Sequence, residues 1–152
     1  LVRSRGLGDV YKRQVIVPDI PFEEKDEIQG SADAHNVHNI SLVTPASENR
    51  IQMIASEATG FLYCVSSNGV TGVRSQFQTD FAPFFEKIHK YAKVPCAVGF
   101  GISGPEAARK MSQYCDGVIV GSAVVRLVEQ YGSDAPKEIG AFTKSLRDAL
   151  DA

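Results

Sequence analysis

Two glycine-ended apolar runs, Val94-Pro-Cys-Ala-Val-Gly-Phe-Gly-Ile-Ser103 and Gly117-Val-Ile-Val-Gly-Ser-Ala123, carry the clearest chemical capability in this sequence. Each is short and β-branched, ends in glycine and passes at once into a helical pattern, as a buried parallel strand does when it turns into a helix. Gly99, Gly101 and Gly121 bring bare backbone to that turn, where no side chain blocks a ligand. The first turn of a helix offers unpaired N–H groups and a partial positive charge, so the chemistry on offer is anion binding, phosphate above all. Two such ends on neighbouring strands would make one cradle. The competing reading is that the glycines only let helix and strand pack closely.

No other constellation competes with the glycines. His35, His38 and His89 have no matching carboxylate or cysteine cluster, so no metal site is expected. Cys64, Cys96 and Cys115 are odd in number and lack CxxC spacing, and they read as buried free thiols of a reducing, cytoplasmic compartment. With 152 residues, 43% of them hydrophobic and 22% charged, the chain has the length and composition for one domain with a core. Its net charge of −2 gives no reason to expect nucleic acid or an anionic membrane as partner. No apolar run reaches membrane-spanning length.

The elements that must position the glycines follow in order. Residues 1–14 carry Arg3, Arg5, Lys12 and Arg13 against Asp9 alone and show neither helical nor strand periodicity, so they are expected to be a non-native or unstructured tail. The domain is expected over residues 15–152. A strand is expected at 15–17, stopped by Pro18 and Pro21, and a helix begins at 22–28 with acids in its first turn. A second strand at 39–44 ends at Pro45. Ser47 then caps a helix whose apolar face is Ile51, Ile54, Ala55 and Ala58. Residues 61–66 read as the third strand and 67–79 as a long polar loop. Asp80 caps a helix with the stripe Phe81, Phe84, Phe85, Ile88 and Tyr91. The two glycine-ended strands come next, separated by a helix at 105–113 with Pro105 at a first helical position. Helices at 122–130 and 136–150 close the chain, the last with Ile139, Phe142, Leu146 and Leu150 at core spacing. Five β-α units mean a parallel α/β sheet. Five units are too few for a closed (β/α)8 barrel, and an open doubly wound sheet fits the length. Such a sheet usually carries its phosphate glycines after the first strand, however, and here they follow the last two.

Four motifs carry a family resemblance: Val15-Ile-Val-Pro-Asp-Ile-Pro-Phe-Glu-Glu24, Ser66-Ser-Asn-Gly-Val-Thr-Gly72, Val98-Gly-Phe-Gly-Ile-Ser103 and Val120-Gly-Ser-Ala123. In order and spacing they resemble the tryptophan synthase α subunit, from Val15 to the C-terminus. The resemblance implies that the five units are strands 4 to 8 of a TIM barrel. It implies the retro-aldol cleavage of indole-3-glycerol phosphate to indole and glyceraldehyde 3-phosphate, in tryptophan biosynthesis. That reaction is general acid–base work. In the family its two carboxylates belong to the region of strand 2, which nothing here matches. Asp19, Glu23 and Glu24 follow strand 4 and are not assigned to catalysis, so the chain alone is expected to be inactive.

The resemblance implies a binding half. Gly72, Gly101, Gly121 and Ser122 match phosphate contacts, and Phe100 lies between two glycines in the same pocket. Ile16, Val43 and Ile119 match apolar positions around the indole and glycerol, or are plain core. Tyr63 faces the pocket and contacts substrate or a catalytic carboxylate, or is a core tyrosine with some other partner. Residues 67–79 resemble the family's lid, with Thr71 matching the residue that holds the catalytic aspartate. Asp19 and Pro21 match the segment that contacts the β subunit. Pyridoxal phosphate belongs to that partner, and no cofactor is expected in this chain. Two alternatives stand beside this reading: another phosphate-sugar barrel of the indole-glycerol-phosphate synthase or epimerase type, and an inactive phosphate-binding half-barrel.

Overall fold

Apolar β-branched runs too short to span more than a few residues alternate with amphipathic stretches, and the chain stacks them as parallel strands covered by helices. The computed structural model describes residues 13–65, 81–99 and 101–151. Strand β1 is Gln14–Val15, so the first strand takes in Gln14, the last residue of the expected tail. A 3-10 turn at Phe22–Glu24 leads into helix α1, Asp26–Ala34, whose first turn carries Asp26 and Glu27 against the positive end of the helix dipole. Then come β2 (His38–Asn39), β3 (Leu42–Val43), a 3-10 stretch at Pro45–Arg50, α2 (Ile51–Glu57) and β4 (Leu62–Val65). Beyond residue 80 follow α3 (Ala82–Tyr91), β5 (Cys96–Gly99), α4 (Pro105–Met111), β6 (Gly117–Val118), α5 (Ser122–Tyr131) and α6 (Ala135–Asp151).

All described pairings are parallel. β1 pairs β2, and β3, β4, β5 and β6 lie side by side in chain order. The single strand expected at 39–44 is thus two short ones. The reason is a change of partner in mid-strand: the Ile40 N–H donates to the Val15 carbonyl, whereas the Ser41 carbonyl accepts from the Tyr63 N–H. The backbone ladder switches from one neighbour to the other between those two residues.

Register assigns the faces. Val43, Cys64, Val98 and Val118 align across β3 to β6, and Leu42, Tyr63, Ala97 and Gly117 align one residue earlier. The first row faces the helices. There Val43, Cys64 and Val98 join Ile54, Leu62, Phe85, Ile88 and Met111 in the main core. The Phe stripe lies as its spacing requires, with Phe81, Phe84, Phe85 and Ile88 buried and Tyr91 half-buried against them. From the second row, Ala97 and Tyr63 belong to a smaller cluster with Ile40, Phe61 and Ile119. This is the inner face.

One cap differs from the sequence reading. Thr44, not Ser47, is the N-cap of the helical stretch, and Ser47 sits three residues on, its Oγ accepting from the Thr44 N–H at 3.0 Å. Pro45 occupies the first helical position, which needs no N–H donor. Asp80 lies outside the described residues. Leu146 is buried and Phe142 and Leu150 pack beside it, fixing α6 against α4 and α5.

Candidate functional site

The two glycine-ended strands are neighbours. Ala97 registers with Gly117 and Val98 with Val118, and the Ile119 N–H donates to the Val98 carbonyl at 2.7 Å, carrying the pairing to the strand ends. Beyond β5 the backbone passes Gly101 at φ 79°, a left-handed conformation that glycine adopts without the penalty a Cβ would bring. Beyond β6, Gly121 is the N-cap of α5, and its carbonyl accepts from the Val124 and Val125 N–H groups at 2.9 and 3.1 Å. The preceding N–H groups of that first turn, including that of Ser122, remain for an outside acceptor. An added Cβ at Gly121 would meet nothing within 4 Å, so space is open above this helix start. Gly121 and Ser122 are exposed. Gly101, Gly121 and Ser122 therefore sit at one end of two paired strands, with a helix start among them. Gly72, Phe100 and Thr71, and the loop expected at 67–79, lie outside the described residues.

On the inner face, Tyr63 and Ile119 pack around Ile40, Phe61 and Ala97. The Tyr63 ring lies 6.3 Å from that of Phe61, and partial burial holds its phenol above the usual tyrosine range, so it stays protonated at neutral pH. Gly99 makes room for it: a Cβ there would collide with the Tyr63 hydroxyl and come within 2.6 Å of Cε1. Ile16 is exposed and follows β1 directly, with Val15 bound to Ile40. Val43 is a correction. It is fully buried among Ile51, Ile54 and Cys64 on the helix side, and the register places its neighbour Leu42 beside Tyr63 instead. Strand alternation decides this: adjacent residues face opposite sides. Leu42 is the inner-face residue that sequence reasoning passed over.

Asp19 and Pro21 are exposed on the turn between β1 and the Phe22–Glu24 helix, where the Ile20 N–H donates to the Val17 carbonyl. Pro21 also lines a cavity of about 300 Å³ with Val17, Pro18, Leu42, Thr44 and Arg50. Its basic residues are already engaged, Arg50 with Glu23 at 2.6 Å and Lys25 with Glu57. The cavity lies at the β1–β3 end, away from the glycines of β5 and β6.

All three cysteines are free thiols. Cys64 is pushed far up by its hydrogen bond with Cys96 and by burial, and burial raises Cys115 to about 11. Neither is a nucleophile at neutral pH. Among the described residues no cluster of histidine, cysteine or carboxylate could hold a metal, and no helix is long and apolar enough to cross a membrane.

A family model described as "Tryptophan synthase alpha chain" matches residues 8–151. The chain belongs to the tryptophan synthase alpha chain family. It is 45% identical over 148 residues to the tryptophan synthase alpha chain of Lacticaseibacillus casei, covering 97% of this chain and 56% of that one. With the Bacillus subtilis (strain 168) alpha chain it shares 49% over 116 residues, or 76% of this chain and 43% of that one. Among solved structures, the tryptophan synthase subunit alpha of Legionella pneumophila str. Paris superposes with a TM-score of 0.70 at 29% identity, over 91% of this chain and 52% of that one. The tryptophan synthase a2b2 complex of Pyrococcus furiosus gives 0.76 at 26%, over 90% and 56%. The chain thus spans about half the length of the curated relatives it matches, and its parallel sheet is part of the family's TIM barrel.

Proposed function

We propose that this chain is the phosphate-binding part of a tryptophan synthase alpha chain, acting in tryptophan biosynthesis on indole-3-glycerol phosphate. The observation that carries the reading is the side-by-side placement of Gly101, Gly121 and Ser122 at the ends of paired strands, with open space over the start of α5. Backbone N–H groups and a helix start suit the dianionic phosphate of such a substrate. Ser122 adds a hydroxyl, and the family resemblance adds Gly72 and Phe100. Tyr63 and Ile119, with Leu42 in place of Val43, line the inner face on which the indole and glycerol would lie. Ile16 extends that face from β1.

Retro-aldol cleavage to indole and glyceraldehyde 3-phosphate needs a proton delivered to the ring and another taken from a glycerol hydroxyl. On this reading those carboxylates are not in the 152 residues, and Thr71 positions one of them in the whole barrel. Asp19 and Pro21, exposed on one turn, form the contact to the β subunit, which carries the pyridoxal phosphate. The test is an indole-release assay on the 152-residue chain with indole-3-glycerol phosphate, with and without a β subunit. No turnover is expected in either, together with saturable binding of the substrate. Turnover by a soluble monomer would place the acid–base groups in this chain after all. Absence of substrate binding would leave the glycines as packing residues. In a full-length family member, the variant equivalent to Gly121→Val should raise KM for the phosphorylated substrate.

A further inference from the structure

The cavity of about 300 Å³ beside the turn after β1 is lined by residues between positions 17 and 54, all of them described. Of its lining, Ile54 belongs to the main core and Phe22 packs against it, whereas none of the inner-face cluster of Ile40, Phe61, Tyr63, Ala97 and Ile119 takes part. Its walls divide by chemistry. Val17, Ile20, Phe22 and Ile54 are apolar. Lys25 and Arg50 bring charge, and both are neutralised. Lys25 pairs with Glu57 and lies over the Phe22 ring at 4.3 Å, and Arg50 pairs with Glu23. The Thr44 and Ser47 hydroxyls lie against each other at 3.4 Å. Asn39 and Ser41 are what is left. They flank Ile40, which is buried in the inner cluster, so strand alternation turns both to the other face. Both are half-buried, and among the described residues neither side chain has a hydrogen-bond partner. Half-buried polar groups that the protein leaves unpaired, set in a cavity with an apolar wall, are what a small-molecule site requires.

We infer that this cavity binds a small neutral molecule made of an apolar ring and one amide, held by Asn39 and Ser41. The Asn39 carboxamide offers a donor and an acceptor and the Ser41 hydroxyl offers both, so an N–H and a C=O side by side on the ligand meet them at two points. The ring lies on Phe22, Ile54, Val17 and Ile20. Size sets the limit: a cavity of about 150 Å³ accepts benzene, so twice that volume takes about a dozen non-hydrogen atoms. Charge sets the class. A carboxylate would have to displace Glu23 or Glu57 from its ion pair, and an ammonium would meet Lys25 and Arg50. Water alone would serve the two polar side chains and leave the apolar wall unused. The rim is open, since Pro18, Pro21 and Ala46 are exposed. The cavity lies away from the glycines of β5 and β6 and its ligand carries no phosphate; failure of this inference is therefore distinguishable from failure of the phosphate reading.

The test is a benzamide titration of the 15N-labelled 152-residue chain, without any β subunit because Pro21 belongs also to the turn assigned to that partner. The side-chain amide of Asn39 and the backbone amide of Ser41 should shift along one saturable curve, with NOEs from the benzamide ring to Phe22 and Ile54. Benzoate, which adds a charge and loses the N–H, and toluene, which loses the whole amide, should each bind about tenfold or more weakly. Asn39→Ala and Ser41→Ala should each weaken benzamide about fivefold, the worth of one neutral hydrogen bond, and leave the thermal melt of the free chain unchanged because no protein partner is lost. Inorganic phosphate should not displace benzamide. The proposal is overturned by shifts that do not saturate, which would leave water as the occupant, by benzoate or toluene binding as tightly as benzamide, by full affinity in both alanine variants, by displacement with phosphate, or by a lowered melt in both variants, which would make the two side chains part of the fold rather than of a site.

Discussion

The two faces of the sheet are built to different standards. The helix-facing side is closed, with Phe85, Ile54, Leu62, Ile88, Val43 and Val98 all but inaccessible. Among the described residues, the inner side carries a small buried cluster of Ile40, Phe61 and Ala97, with Tyr63 and Ile119 half-covered. Both are made of the same short strands, whose successive side chains go to alternate faces. The difference teaches that one residue of register separates a face closed by helices from one left half-covered. Helices complete the outer face within each β-α unit. The inner face is completed only by strands across the barrel or by a ligand.

Core deletion gives the largest test of this contrast. Phe85→Ala removes a ring packed on Phe81, Phe84 and Tyr114 at the centre of the helix-facing core. It should cost about 3–5 kcal/mol in urea unfolding. Ile119→Ala on the inner face should cost less than about 2 kcal/mol, because its side chain is only half-buried. Equal losses would erase the distinction.

Gly99 sharpens the contrast, since it lets the inner face hold a tyrosine against the backbone. Gly99→Ala should destabilise by roughly 1–3 kcal/mol through overpacking on the Tyr63 ring. In a Tyr63→Ala background the same change should be nearly silent. A double-mutant cycle without coupling would mean that Tyr63 moves aside freely.

The smallest effect probes how dry the helix-facing side is at its margin. Cys115 holds its thiol proton up to about 11, against an ordinary value of 9.0, chiefly because burial disfavours the thiolate. The folded state thus keeps a proton that the unfolded chain releases. Its contribution to stability is full below pH 9.0 and is lost as pH rises through about 11. The denaturant midpoint should fall over that window, and less so in Cys115→Ala. Identical pH profiles would show that the thiol is hydrated.

The sequence made the general architecture legible because its strongest signals are local. The spacing of Phe81, Phe84, Phe85 and Ile88 announces a buried helix face, and the glycines after two β-branched runs announce strand ends that meet a helix. What it hid is phase and partnership. Ile40, Leu42 and Val43 are all apolar, so alternation could not say which of Leu42 and Val43 faces inward; only pairing with Tyr63 and Cys64 does. The division of the 39–44 strand depends on Ile40 and Ser41 bonding to different neighbours, a tertiary fact with no residue code. Thr44 and Ser47 are both good caps, and the choice fell to Thr44 because Pro45 follows it at the first helical position.

The central claim is that the ends of β5 and β6 form a phosphate site. Its most direct measurement is an inorganic phosphate titration of the 15N-labelled chain, following backbone amides by NMR. The amides of Gly101, Gly121 and Ser122 should shift together along one saturable curve. In Gly121→Val, whose φ of −115° accepts a β-branched residue, the fold should be kept and the saturation lost. Unmoved amides at these three positions, or an undiminished response in Gly121→Val, would contradict the account.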